Sequence, residues 1–299
     1  MNTKNSLTMI SWLATLSFCL TSVLSHADTL RVQAPTDENG NYSIAMLKLA
    51  LSKFENNHKL EFVDTSNYTQ TRTFGEVANN KLDITWTATD QEAENQMEPI
   101  RIPLYKGLLG HRILIIRNGD QARFDKVKTF EDLKQFTFGQ GKTWPDYKIL
   151  TANGLNAVPA MKYEGLFFML DGARFDAFPR GVQEPWAEIK KHPQLQLAAE
   201  KRIMFVYRMP FYLFTNKEHA KLARELEQGF DRAIADGSFD KLFYSSPTVH
   251  SVMENANLDS RLIFELKNPT LPPKTPVDHP EYWLNIEEFK QHARNTPHE

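Results

Sequence analysis

KYEGLFFMLDGARFDAFPRGVQEPW, residues 162–186, sets the reading of the whole chain. Its first part has the apolar spacing of an amphipathic helix, and Gly172 turns the chain. The run Phe175-Asp176-Ala177-Phe178 is a short buried strand, and Pro179-Arg180-Gly181 follows it. Arg180 is therefore expected just past the C-terminal end of a strand. In open α/β sheets that end is where ligands bind.

Upstream, the same alternation recurs. Leu30–Gln33 and Leu60–Val63 read as strands, with a helix from Ser43 to Phe54 between them. A helix over 71–80 and a strand at Leu82–Trp86 follow, then an acidic loop from Asp90 to Glu98. Strand–helix–strand order marks a parallel sheet with covering helices. His111–Arg117 (HRILIIR) is a strongly apolar strand, after which the pattern restarts. Thr129-Phe-Glu-Asp132 is a capping box opening a short helix. A strand at Phe136–Phe138, a loop Gly139-Gln-Gly-Lys-Thr-Trp144, a helix over 147–153 and a strand over 157–161 lead into the opening stretch. A helix from Val182 to Lys191 comes next, with a strand at Leu195–Leu197 behind it.

Tyr207–Thr215 (YRMPFYLFT) is a second apolar crossing, and Glu218–Ala235 is the clearest helix. Two crossings around an α/β block suit two lobes, the chain leaving the first and returning to it. The expected architecture is α/β, two-lobed, with the lobes joined by two crossing strands. Residues 28–114 and 212–299 would form lobe one, and 115–211 lobe two. The tail from Ser245, an extension over 245–299, reads as irregular apart from a strand at Arg261–Leu266. It is expected to brace lobe one.

Residues 1–27 read as a secretory signal peptide. Lys4 precedes an apolar run from Leu7 to Leu24, and Ser25-His26-Ala27 offers small residues at the cleavage site. Cys19, the only cysteine, lies inside it, so the remaining 272 residues can form no disulfide. That suits a bacterial periplasm. Without Lys4, 34 basic residues face 37 acidic ones, which argues against a nucleic-acid partner. No G-x-S-x-G, H-E-x-x-H or Cys/His cluster appears, so no catalysis, cofactor or metal is expected.

Four short stretches resemble the bacterial extracellular solute-binding proteins of family 3, which have the periplasmic-binding-protein type II fold. Asn80-Lys-Leu-Asp-Ile84 is similar to the family's G-x-hydrophobic-Asp-hydrophobic strand, and Phe130-Glu-Asp-Leu-Lys134 with Phe138-Gly-Gln-Gly141 to the start of its second lobe. Leu170-Asp-Gly-Ala-Arg-Phe-Asp-Ala177 is similar to its L-x-x-G-x-hydrophobic-Asp-Ala stretch, and Ala235-Asp-Gly-Ser-Phe239 to its closing A-D-G-[ST]-[FY]. The resemblance implies a monomer that closes on a solute and delivers it to a membrane permease. A soluble sensor presenting to a membrane receptor, or an enzyme like periplasmic cyclohexadienyl dehydratase, are the other roles it implies; the last would need a cleft acid such as Glu184 or Asp176.

For amino-acid ligands the family implies an arginine in a T-x-x-R stretch and an acid past the Asp-Ala strand. Here the first stretch reads Thr87-Ala-Thr-Asp90, and Phe178-Pro-Arg-Gly181 stands at the second. Arg180 in place of an acid reverses the preferred ligand charge, so an anionic solute is expected. Arg180 offers a planar fork for carboxylate or phosphate oxygens. Alternatively it pairs with Glu184 or with an acid of lobe one and latches closure. Trp86 and Trp144 are placed to wall a cleft. Lys142 and Thr143, near a helix start, suit an anion. Gly141-Lys-Thr143 copies the end of a P-loop, but Phe136 occupies the position that needs glycine. Arg101 and Arg112 flank the first crossing, and Arg101 could replace the missing clamp. Glu184 could line the cleft mouth.

Overall fold

The computed structural model describes residues 29–55 and 58–295; the signal-peptide expectation falls outside them. The chain begins with β1 (Thr29–Gln33), α1 (Glu38–Leu51), β2 (Lys59–Val63), α2 (Gln70–Ala78), β3 (Thr85–Ala88), α3 (Gln91–Gln96) and β4 (Glu98–Ile100). β5 (His111–Arg117), α4 (Gln121–Phe124), α5 (Phe130–Leu133), β6 (Thr137–Gly141), α6 (Pro145–Ala152) and β7 (Asn156–Ala160) come next. α7 (Tyr163–Asp171), β8 (Ala177–Gly181), α8 (Pro185–Lys191), β9 (Leu197–Ala199) and β10 (Ile203–Val206) follow. β11 (Phe211–Thr215), α9 (Ala220–Ala235), α10 (Ser238–Ser245), α11 (Pro247–Asn255), β12 (Leu262–Glu265) and α12 (Ile286–Asn295) end it.

Lobe one carries the parallel pair β1–β2 and the antiparallel sheet β3–β11–β4. Its largest core lies under α1 and α9, whose Met46, Leu47, Ala50, Leu226 and Phe230 are fully buried. On α9 the buried Ala223, Leu226, Phe230 and Ala233 recur every three or four residues, so one face packs and the other stays wet. Lobe two is a seven-stranded sheet in the order β12-β10-β5-β8-β6-β7, with β9 also on β5. β5 runs through its middle, and its unbroken apolar run from Ile113 to Ile116 suits a strand covered on both faces.

The two crossing segments touch at Gly110 and Tyr207. The Tyr207 amide donates to the Gly110 carbonyl at 3.0 Å, and a Cβ at Gly110 would lie 2.0 Å from the Tyr207 carbonyl oxygen. Only glycine permits that approach.

Several sequence expectations need correction. Arg180 does not follow its strand but lies inside it, opposite Ile113 of β5. Pro179 is tolerated mid-strand because on the β6 side β8 pairs only at Phe138 and Ala177, where no Pro179 amide is needed. The acidic loop is largely helical: Asp90 caps α3 by accepting from the Ala93 amide at 2.9 Å. The tail is not irregular, since it contains α11 and α12. Its strand β12 does not brace lobe one but extends the lobe-two sheet, parallel to β10. The capping box is present at Thr129 and Asp132 as read.

Two departures from glycine carry a conformational signature. Asn80 and Ala173 both have left-handed backbone, with φ of 55° and 56°. Each stands where the resembling stretches carry glycine. Asparagine enters this region readily, alanine at a cost of about 1 kcal/mol.

Candidate functional site

Two loops of lobe two are built alike. β6 ends at Gly141, and four residues later Pro145 opens α6; β8 ends at Gly181, and four residues later Pro185 opens α8. Proline is preorganised for the first helical position. Both helix N-termini thus meet at one place, each carrying acids: Asp146 on α6, Glu188 on α8 and Glu184 just before it. Acids there complement the positive end of the helix dipole.

Two buried arginines answer them. Arg180 grips Glu188 in bidentate fashion, with Nε 2.9 Å from Oε2 and Nη2 2.6 Å from Oε1, and its Nη2 lies 3.1 Å from Glu184 Oε2. Its guanidinium packs near the rings of Phe178, Trp144 and Tyr163 at 5.0, 5.1 and 5.5 Å. Tyr163 donates to Glu188 at 2.5 Å. Arg112, on β5, places Nη2 2.9 Å from Asp146 Oδ1 and donates from Nε to the Tyr207 hydroxyl at 3.0 Å. Tyr207 in turn donates to Asp146. Glu184 links the halves: Oε2 accepts from the Gly181 amide at 2.7 Å and faces Arg112, while Oε1 accepts from Asn39 Nδ2 of α1 at 2.8 Å. Tyr105 holds Asn39 by donating to its Oδ1.

Electrostatics follow from this burial. Burial pushes the Glu184 carboxyl above its ordinary value; Arg180 and Arg112 oppose the shift and Glu188 reinforces it. Burial disfavours the charged form of Arg180, but Glu184 and Glu188 outweigh it and hold the guanidinium protonated.

A cavity of about 130 Å³ opens beside this cluster, walled by Arg112, Arg180, Asp146, Glu184, Trp144 and Phe211 among others. Arg180 Nη1 makes no hydrogen bond to any described residue, nor does Asp146 Oδ2. Arg180 and Asp146 therefore each keep one polar atom without a partner among the described residues.

Of the residues singled out in the sequence, the structure brings Arg180, Trp144 and Glu184 together at this cavity. Lys142 and Thr143 line a neighbouring cavity of about 270 Å³ with Asp90, Glu92 and Lys148, and Thr143 donates to Gln70 at 3.3 Å. Trp86 packs against the lobe-one core and Arg101 pairs with Glu94 at 2.7 Å; neither lines a cavity described above. Asp176 sits at the other end of β8. Burial raises its carboxyl, but bonds from Thr137 and Arg123 outweigh this and hold it low. Arg112 was visible only as a flank of the crossing. Asp146, Glu188, Tyr207 and Asn39 were not singled out. The repeated Gly-x-x-x-Pro loops were the available signal for the first two.

No family model matches the chain, and no curated protein matches it. Solved structures do. An ancestral arginine-binding protein bound to arginine has a TM-score of 0.55 at 18% identity, over 74% of this chain and 100% of that one. A Streptococcus pneumoniae amino acid ABC transporter substrate-binding protein bound to L-arginine has a TM-score of 0.53 at 16% identity, over 73% and 94%. An ancestral amino acid-binding protein, a precursor of cyclohexadienyl dehydratase, has a TM-score of 0.52 at 19% identity, over 73% and 95%. With these likenesses beside its topology, the chain has the two-lobed type II fold of periplasmic binding proteins.

Proposed function

We propose that the protein is an exported, monomeric solute-binding protein. It takes a small polar solute bearing an anionic group into the inter-lobe cavity, closes on it and hands it to a membrane permease. The observation carrying this reading is Arg180. Glu188 and Glu184 hold its Nε and Nη2, Nη1 makes no hydrogen bond to a described residue, and Arg180 lines the cavity. A fixed donor loses little entropy on binding, and a hydrogen bond to a charged group contributes about 1.5–3 kcal/mol. Asp146 Oδ2 would accept from an N–H or O–H elsewhere on the solute. The Trp144 ring supplies an apolar wall. Among the structural neighbours, the ancestral arginine-binding protein and the Streptococcus pneumoniae ABC transporter substrate-binding protein were both solved with arginine bound, which agrees with the solute-binding part.

A second reading has one observation behind it. Glu184 has a raised carboxyl pKa in the cavity, the property a general acid for dehydration needs. Turnover of prephenate-like acids would establish it.

The test of the first reading is a thermal-shift panel of amino acids, dicarboxylates, phosphorylated solutes and short peptides. At least one anionic member should raise the melting temperature of the wild type, and Arg180→Ala should abolish that rise. An undiminished rise in the variant overturns the role given to Arg180.

A further inference from the structure

Three quarters of this chain spans the solved relatives almost end to end, so about a quarter is additional. The contacts of the segment beyond Ser245 fall on both lobes and on the hinge between them.

On lobe two, β12 pairs with β10 over four residues. Arg261, just before it, is buried and spends its guanidinium on backbone: Nε donates to Ala256 at 2.6 Å, and Nη1 to Glu200 and Ile203 at 3.0 Å each. Asn153 and Lys267 exchange two hydrogen bonds of 2.8 and 3.0 Å. On lobe one, Phe289 of α12 is fully buried against Phe243 and Tyr244, and Tyr282 donates to Asp231 of α9 at 2.7 Å.

Between these anchors the segment runs along the crossing peptides themselves. The Leu266 amide donates to Val206 at 2.9 Å, Asn268 to the Arg208 carbonyl at 2.8 Å, and the Leu284 amide to Lys106 at 2.7 Å. The Arg208 guanidinium lies 4.5 Å from the Trp283 ring centre. That ring is pressed on Gly107 so closely that a Cβ there would fall 2.6 Å from it. The backbone on each side of the hinge contact is thus tied to the same strap.

We propose that the segment from Ser246 to Asn295 is a hinge strap that holds the lobes in the closed arrangement before any solute arrives. Opening requires φ and ψ changes in a few hinge residues. Here those residues are Lys106, Gly107, Tyr207 and Arg208, and rotating them breaks strap contacts at both crossings together. The proposal rests on the two-lobed fold and is independent of which solute binds.

The experiment is pulsed electron–electron resonance between spin labels on exposed residues of the two lobes, Gln91→Cys and Lys162→Cys, in a Cys19→Ser background so that the labels are the only thiols. Without added solute, the intact strap should give one narrow distance distribution. Arg261→Ala should add a second, longer population. Because that variant removes a buried group and can unfold, a second variant inserts six Gly-Ser residues between Pro272 and Pro273. It slackens the strap and leaves both anchors intact, and it should add the longer population too. A narrow, unchanged distribution in the slackened variant overturns the proposal, as does a broad one in the unmodified strap.

Discussion

Arg180 and Glu188, eight residues apart on β8 and α8, form a bidentate pair wholly inside lobe two. The pair is therefore no latch between lobes. In this cluster the contact that crosses the cleft is made by Glu184, through Asn39 of α1, and beside it Thr143 reaches Gln70 of α2. Arg180 does pair with Glu184, as one sequence reading had it, but no lobe-one acid reaches it among the described residues.

Removing one partner of such a pair leaves a buried charge uncompensated. Arg180→Ala is expected to cost about 3–5 kcal/mol of stability. Arg180→Ala with Glu188→Ala should cost less than the sum of the two single changes, because the stranded charge is gone. Urea unfolding of the four proteins measures the coupling, and additive losses would contradict the pairing.

Glu184 gives the protein a pH dependence of definite sign. Its folded value lies above the ordinary 4.5, chiefly through burial, so the fold keeps a proton that the unfolded chain has released. This contribution is fully present below 4.5 and is lost as pH rises through the folded value. Glu184→Gln should flatten that fall in a pH series of melting temperatures. An identical slope in both proteins would assign the pH dependence elsewhere.

The crossing contact sets a strict steric demand. Gly110→Ala would drive a methyl into the Tyr207 carbonyl and should cost at least about 3 kcal/mol. Gly75→Ala on α2 meets nothing within 4 Å and should gain about 0.5–1 kcal/mol from helix propensity. Soluble yield and denaturant midpoints separate the two.

Ala173 is strained in its left-handed conformation. Ala173→Gly should raise stability by about 1 kcal/mol, read as a higher urea midpoint. A fall would mean that the entropy of the extra glycine outweighs the strain.

The sequence carried the fold because its signals are local. The period-2 and period-3.6 apolar runs, the Thr129 capping box and the two apolar crossings each identify an element without reference to the rest. It carried less of the site. Arg180 and Trp144 could be placed near strand ends, but Glu188 and Asp146 meet their arginines only through the folding of separate loops. Asn39 reaches Glu184 across 145 positions of chain. The tail misled because β12 has the pattern of any half-exposed strand, and nothing in four such residues names the sheet they join.

In the proposed binding mode Arg180 Nη1 receives the anionic group of the solute. Calorimetric titration of wild type and Arg180→Lys with the solute found in the panel tests it most directly. Lysine keeps the charge but lacks the fork that lets one residue hold Glu188 and a ligand at once. Binding is expected to be at least about tenfold weaker in the variant, the loss of one charge-assisted hydrogen bond. Equal dissociation constants would contradict it.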